Sequence, residues 1–367
     1  MRDYLKIILL ITLLFGCKKD KNIILGCLEK NAMNYNSLAT IDDGSCIFGT
    51  PFNLQTPANF PNMSIPKDNP LTLEGISLGK KLFYDPILSE NEQLSCVSCH
   101  LQELAFSGPS NSPSNVNGIA IERDIMSLTN VGWKKHFAWN GRDTTLEGKI
   151  KGTLENPFGM NWNTTDVIKK IETSNEYQEL YKKAFGEENI TAENTIKALA
   201  QFLRTLISSE SKFDRYLRFE EALTPKELIG FNIFSTEKGD CFHCHMDKGP
   251  FTDLSMHNIG LDSIFNFNNN GHYNVSNNTQ DIGLFTTPTL RNVEFTAPYM
   301  HDGRFATLEE VVEHYNSGGK WSPTIDPNMK KVGVGLQLTE SEKEALVSFL
   351  KTLSDSYFIN DSSFQIH

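Results

Sequence analysis

Two pentapeptides of the form Cys-x-x-Cys-His constrain this chain more than any other feature. They are Cys96-Val97-Ser98-Cys99-His100 and Cys241-Phe242-His243-Cys244-His245. This spacing is the attachment signature of c-type heme, because two thiols three positions apart reach the vinyl groups of one porphyrin and the adjacent histidine faces the iron. A zinc site would pair two Cys-x-x-Cys segments within a few tens of residues, and a thioredoxin-like pair does not require the histidine. The sequence therefore predicts two covalent hemes, with His100 and His245 as iron ligands.

The first sixteen residues have the pattern of an export signal. Arg2 and Lys6 supply positive charge, and residues 7–15 form an apolar run that is too short to span a bilayer. The small residue before Cys17 resembles a bacterial lipobox, which predicts cleavage before Cys17 and a lipid anchor on its thiol. A signal cleaved nearby, with Cys17 left free, is the alternative. We expect an exported protein at the periplasmic face or outer membrane, where disulfides and cytochrome c assembly are possible.

Cys27 and Cys46 remain once Cys17 and the four heme cysteines are assigned. An oxidising compartment makes their pairing the economical interpretation. The segment between them is rich in turn residues and poor in apolar ones, so a disulfide would hold a module that has no core of its own. Such a bridge stabilises a loop of this size by roughly 3 kcal/mol.

Composition limits the classes of partner that this chain can bind, and length limits its number of domains. The formal net charge of −11 argues against a nucleic-acid partner and against adhesion to anionic lipid. About 350 residues after export suit two domains and a stalk. The predicted division is a module and stalk over 17–50, a Pro- and Asn-rich linker over 51–70, heme domains over 71–208 and 209–357, and a tail over 358–367.

Hydrophobic periodicity predicts a mostly α fold. Apolar residues recur at helical spacing over residues 166–185 and 191–208. Thr224, Thr307 and Thr339 each precede a glutamate by three positions, which predicts a helix start with a capping box at each threonine. The helix after Thr307 should stop near Gly318. The expected class is two cytochrome c-like heme domains preceded by a small disulfide-closed N-terminal module.

Four further motifs occur in a fixed order around the pentapeptides. They are Leu-Gly-Lys-Lys-Leu-Phe-Tyr-Asp-Pro at 78–86, Ala-Trp-Asn-Gly-Arg at 138–142, Thr-Pro-Thr-Leu-Arg-Asn-Val at 287–293 and Ala-Pro-Tyr-Met-His-Asp-Gly at 297–303. With these motifs, the chain from residue 71 to about 354 resembles the bacterial diheme cytochrome c peroxidases and their relative MauG.

This resemblance implies a function and its alternatives. The C-terminal heme would accept electrons from a small donor protein of the cytochrome c or cupredoxin type and relay them to the N-terminal heme, where hydrogen peroxide is cleaved. A homodimer is compatible with the resemblance. One alternative is a MauG-like diheme oxidase of a protein or organic substrate. Another is a diheme electron-transfer cytochrome without catalytic activity.

The resemblance also suggests how each iron is ligated. Tyr315 falls where the peroxidases carry an axial methionine and MauG a tyrosine, with Met300 and His301 as alternatives; an ordinary core aromatic is the other interpretation of Tyr315. The peroxidases that need reductive activation carry a displaceable histidine after the first pentapeptide. This chain has no histidine over residues 101–135, and Val116 occupies the matching position. The first heme is therefore expected to be five-coordinate or water-ligated.

Positions of the family's peroxide site are matched only in part. Trp139 and Arg142 match the family, and Trp139 would act as an electron relay. Lys149, Thr153 and Gly159 stand where the family has glutamine, proline and glutamate. A glycine cannot shuttle protons as the glutamate is expected to.

Two side chains could substitute for the missing glutamate. Glu155 lies four residues before Gly159, and Lys149 could assist electrostatically. The candidate catalytic set is therefore Trp139, Arg142, Lys149 and Glu155.

A calcium ion is the remaining implication of the resemblance. The family's calcium ligands correspond to Asp124, Thr296 and Pro298. A carboxylate in place of the family's amide would still suit a hard cation. A surface ion pair with Arg123 is the other interpretation of Asp124.

Overall fold

A computed structural model describes residues 23–109, 123–157, 159–186, 190–329 and 332–366. Contacts divide the chain into a small unit that ends at Ile47 and a large unit that begins at Phe48. The small unit confirms the predicted disulfide, since Cys27 is bonded to Cys46. The rest of this unit is held by isolated bridges and by the Asn34 side chain, which donates to Ser45 O and accepts from Ile47 N. Cys17 and the predicted export signal lie outside the described residues.

The large unit is mostly helical, as predicted. Its described helices are α1 (Leu73–Tyr84), α2 (Leu146–Leu154), α3 (Thr164–Glu172), α4 (Asn175–Phe185), α5 (Ala192–Leu203), α6 (Lys212–Leu217), α7 (Pro225–Phe234), α8 (Phe242–His245), α9 (Tyr273–Ser276), α10 (Leu308–Ser317), α11 (Glu340–Lys351) and α12 (Ser356–Asn360). Two short strands, β1 (Met256–His257) and β2 (Phe285–Thr286), pair antiparallel with Met256 opposite Thr286. None of these helices has the length and apolar content that a membrane crossing requires.

Helix ends follow the capping residues read from the sequence. Thr224, Thr307 and Thr339 each form the predicted capping box, and Gly318 ends α10 in the left-handed conformation with φ 86°. The stretch 166–185 is divided into α3 and α4. The break occurs because the Ser174 side chain accepts a hydrogen bond from Tyr177 N and starts a new helix there.

The large unit contains two hydrophobic core clusters. The first is built from residues between Leu78 and Leu206, and the second from residues between Phe213 and Leu353. Phe358 and Phe364 return to the first cluster, so residues 356–364 close the N-terminal core. Gln102 Nε2 fixes this return by donating to the Phe358 and Asp361 carbonyls at 3.2 and 2.9 Å. The boundary between heme domains at residue 208 stays a prediction.

Each core is organised by the same helix crossing. In the first, α1 packs on α5, and in the second, α7 packs on α11. A Cβ on Gly79 would overlap the carbonyl oxygen of Ala198, and a Cβ on Gly230 would overlap that of Ala345. Glycine is therefore required at both crossings because the two backbones approach within a distance that no side chain allows.

We expect Gly79→Ala and Gly230→Ala each to destabilise the heme-loaded protein by about 1–3 kcal/mol, because the helices of that crossing must separate. Gly152→Ala in α2 is the matched control, since its Cβ would meet the flexible end of the Arg142 side chain. Denaturant unfolding measures the three variants. Equal stability of all three would contradict the assigned role of the crossings.

Candidate heme sites

The two pentapeptides lie in similar short turns. Cys96–Ser98 form a 3-10 turn, and Phe242–His245 form α8. All four of their cysteines are unbridged, although Cys27 and Cys46 are paired in the same molecule. Burial raises the pKa of the Cys96 and Cys241 thiols to about 12. Each half therefore presents two free, partly buried thiols, one of which packs against its hydrophobic core, as heme attachment requires.

The histidines of the pentapeptides are held in the same way. His100 Nδ1 lies 2.8 Å from the carbonyl oxygen of Phe106, and His245 Nδ1 lies 3.4 Å from that of Phe251. Both phenylalanines follow their histidine by six residues, are fully buried, and have a left-handed φ of 58° and 52°. When Nδ1 donates to a carbonyl, Nε2 is left with the lone pair that binds a metal.

Burial also keeps both imidazoles neutral. It lowers the pKa of His100 and of His245 to about 4. A neutral imidazole is the form that coordinates iron, so neither ring has to lose a proton near pH 7.

A large cavity extends from the second pentapeptide. The volume that the centres of water-sized spheres can occupy in it is about 220 Å³. On the same measure, a cavity that holds a single water needs roughly 10–15 Å³. Cys241, Cys244 and His245 line it together with Tyr315, and most other lining residues are apolar. A site with two thiols, a neutral imidazole and apolar walls fits a heme.

All three candidates for the second axial ligand line this cavity. Tyr315 lies on α10 with Leu308, Val311 and Val312, which line the cavity as well. Burial and the neighbouring Cys244 and Cys241 raise the pKa of the Tyr315 phenol. Met300 occupies a tight turn with φ 74°, and His301 is buried with its ring stacked 3.8 Å from that of Phe285. The choice among the three stays a prediction.

The first half repeats the element that carries Tyr315. An antiparallel bridge precedes each of the two helices. Phe137 pairs with Asp143 before α2, and Tyr299 pairs with Phe305 before α10. Thr145 caps α2 as Thr307 caps α10. Thr153 then follows the first residue of its helix by seven positions, as Tyr315 does in α10. The short hydroxyl side chain of Thr153 therefore occupies the position that a tyrosine occupies in the second half.

Lys149 lies beside Thr153 on α2. Its Nζ donates to Thr153 Oγ1 at 3.0 Å. Burial lowers the pKa of Lys149, and its charge contributes to the lowered pKa of His100. The structure therefore pairs Lys149 with Thr153 and places Lys149 close enough to His100 for its charge to act on that ring.

Glu155, Arg142 and Trp139 lie in three different settings. Glu155 is exposed at the end of α2, 3.9 Å from Lys151. Arg142 is exposed and paired with Asp143 at 3.1 Å. Trp139 is half-buried, lines the large cavity, and donates from Nε1 to Asp124 O at 2.8 Å. Of the three, Trp139 is the one that contacts the cavity.

Gly159 has a steric reason to be glycine. A Cβ at this position would lie 2.5 Å from the carbonyl oxygen of Thr153. Carbon and oxygen do not approach so closely, so a glutamate at 159 requires the loop to move. A side chain at position 159 is therefore incompatible with this backbone.

The candidate calcium residues share one region. Asp124, Thr296 and Pro298 all line the large cavity. Burial raises the pKa of the Asp124 carboxyl to about 7. Within the described residues, the cluster with metal-ligand spacing is a different one, Glu237, Asp240 and His243. The calcium assignment stays a prediction.

His257 lies in the cavity wall although it belongs to none of the motifs identified in the sequence. It lines the cavity, with Nε2 2.8 Å from Asp253 and Nδ1 2.5 Å from Asp326. The two carboxylates raise the pKa of His257 to about 12, so the ring is an imidazolium at neutral pH. Asp253, four residues before His257, is a partner that the sequence could have indicated. Asp326 comes from a distant loop and could not have been identified in this way.

Comparisons with known proteins agree with this geometry. The family model for di-haem cytochrome c peroxidases matches residues 73–222. The methylamine utilization protein MauG of Methylorubrum extorquens is 37% identical over 290 residues, which cover 78% of this chain and 80% of that protein. The cytochrome c551 peroxidase of Nitrosomonas europaea is 33% identical over 305 residues, covering 81% and 85%.

A solved structure extends the comparison to the fold. The crystal structure of a MauG-like protein associated with microbial copper homeostasis matches with a TM-score of 0.81 and 32% identity, over 86% of this chain and 99% of that one. The fold and the paired Cys-x-x-Cys-His sites are those of a c-type heme oxidoreductase. The chain belongs to the diheme cytochrome c peroxidase and MauG family.

Proposed function

We propose that this protein reduces hydrogen peroxide to two waters, using two protons and two electrons, one electron from each of two molecules of a small donor of the cytochrome c or cupredoxin type. The observation that carries the proposal is the asymmetry between the repeated helices. α10 places Tyr315 in the wall of the cavity beside the second pentapeptide, whereas the matching position of α2 carries Thr153 beside Lys149. We infer that Tyr315 closes the second site by binding its iron and that the first site, which has no such side chain at this position, is left open for peroxide. When bound, the hemes supply electron storage and the iron that cleaves the O–O bond.

The closed site is assigned to electron entry. Phenolate ligation by Tyr315 would favour ferric iron and lower the potential relative to thioether ligation by Met300. The helix supports Tyr315, because α10 fixes its position in the cavity wall over three turns. Electron entry at the second heme is what the family resemblance implies, and a closed ligand set keeps peroxide away from that iron while electrons pass through it.

Tyr315→Phe tests the ligand. We expect two hemes per chain, as in the unmodified protein, and a changed low-spin ferric signal in electron paramagnetic resonance. Tyr299→Phe is the matched control, since Tyr299 lines the same cavity but donates its hydroxyl to Val293 O at 3.0 Å. A wild-type signal from Tyr315→Phe would exclude Tyr315 as the ligand and transfer the assignment to Met300.

At the open site, Lys149 is the proposed source of electrostatic and proton assistance. Its ammonium is half-buried and is held by Thr153. A positive group with a lowered pKa can stabilise developing negative charge on a peroxide oxygen and can donate a proton. Glu155 remains the alternative donor and would have to leave Lys151 to reach the site.

Trp139 is the proposed electron relay between the two sites. Its ring lines the cavity of the second site, and its indole N–H donates a hydrogen bond to the backbone carbonyl of the calcium candidate Asp124. A calcium ion held by Asp124, Thr296 and Pro298 would stabilise this part of the cavity wall.

Export and lipid anchoring at Cys17 are proposed from the sequence.

Peroxide added to the purified holoprotein with a reduced cytochrome c tests the function. Oxidation of two cytochromes per peroxide, with multiple turnovers, is the expected result. A long-lived oxidised spectrum without donor turnover would indicate a MauG-like oxidase. An unchanged spectrum would indicate an electron carrier, and either of these two outcomes overturns the proposal.

A further inference from the structure

Lys134 lacks the counter-charge that a buried ammonium needs. Its side chain is half-buried and lines the cavity that contains Cys241, Cys244 and His245. Among the residues that the structure describes, its ammonium makes no hydrogen bond or ion pair. Burial lowers the pKa of Lys134 to about 8, and the charge that acts on it is the like charge of Lys149. Removing an ammonium from water without a partner is unfavourable.

His136 lacks a partner in the same place. Its Nδ1 is buried and makes no hydrogen bond within the described part of the chain. His136 and Lys134 line a small pocket with Thr286 and Thr287, and its volume of about 10 Å³ is close to that of one water-sized group. Two unsatisfied nitrogen groups on one segment therefore meet at one pocket beside the cavity.

The nearby carboxylates do not complete this site. Asp253 and Asp326 hold His257, and Asp143 holds Arg142. Asp124 lines the cavity as Lys134 does, but the charges that shift its pKa do not include Lys134. The missing anion must therefore come from outside the described chain.

We propose that Lys134, with His136, binds a carboxylate, and that this carboxylate is a propionate of the heme attached at Cys241 and Cys244. Thioether attachment uses the vinyl groups of a heme and leaves its two propionates as anions. A lysine ammonium is a suitable partner for a carboxylate in a partly dry site. The contact would tie residues 134–136, which follow the first pentapeptide, to the heme of the second. The inference rests on the heme proposed at the second pentapeptide and is independent of peroxide turnover.

Lys134→Met in the holoprotein tests the contact, with Lys134→Arg as the conservative variant. Lys135→Met is the matched control, because Lys135 is exposed and lines the small pocket but, unlike Lys134, does not line the cavity. All variants should retain two hemes. We expect Lys134→Met to shift the propionate bending band in resonance Raman spectra. It should also lower the midpoint potential of one heme, because a nearby positive charge is lost. That heme should be the one whose low-spin signal changes in Tyr315→Phe. Lys134→Arg should retain most of both properties, and Lys135→Met should match the wild type.

Three outcomes would overturn the inference. Lys134→Met could match Lys135→Met in both measurements, or it could shift both hemes equally, as a general charge effect would. Acetate could change the wild-type spectrum in a saturable way that Lys134→Met abolishes, which would show that the site takes a free carboxylate. If peroxide turnover fails but the Raman and potential shifts appear, the function is wrong and the propionate contact stands.

Discussion

Replacing both Cys96 and Cys99 with serine is expected to remove one of two hemes and all peroxide turnover. These cysteines belong to the open site, where Thr153 stands in place of a tyrosine. Cys96 also packs against the first hydrophobic core, so loss of the heme leaves a cavity there and lowers stability. Intact mass and heme absorbance measure the attachment, and oxidation of a reduced cytochrome measures turnover.

The Cys241→Ser and Cys244→Ser double variant is the counterpart. It should lose the other heme and all turnover supported by the donor, while the remaining heme still responds to peroxide in a single reaction. Two outcomes would contradict this division of roles between the sites. The Cys96 and Cys99 double variant could keep its turnover, or the Cys241 and Cys244 double variant could retain its remaining heme and yet show no response to peroxide.

Lys149→Met is expected to lower the turnover number by about 10²-fold, the effect typical of a general acid or base. Heme content and the low-spin signal should not change. Turnover of the unmodified protein should fall as pH rises through the pKa of Lys149, which burial places below its usual range. Steady-state kinetics with a reduced cytochrome measures both effects.

Two variants on the same helix separate Lys149 from its alternative. Lys151→Met removes an exposed lysine two residues away and should leave turnover near the wild-type value. Glu155→Gln should do the same. A large loss in Glu155→Gln together with normal turnover in Lys149→Met would move the proton donor to Glu155.

Local patterns in the sequence predicted much of the molecule. The pentapeptides, the capping boxes at Thr224, Thr307 and Thr339, and the Cys27–Cys46 pair each depend on a few neighbouring residues or on the count of cysteines. Tyr315 was expected near the second heme from the family resemblance, and it lines the cavity beside the second pentapeptide. Such features are encoded within one or two turns of chain, and the structure contains them.

Features that depend on distant parts of the chain were not predictable in this way. The pKa of His257 is raised because Asp253 and Asp326, the second of them 69 residues away, each contact one of its ring nitrogens. The return of Phe358 and Phe364 to the first core involves partners more than 250 residues away. Each of these contacts is set by tertiary packing, which hydrophobic periodicity does not report.

A pyridine hemochrome assay tests the central claim most directly. The protein should be produced in a host that assembles c-type cytochromes, and the heme should be measured per chain after denaturation. The account predicts two equivalents that stay attached to the polypeptide. One equivalent or none would contradict it.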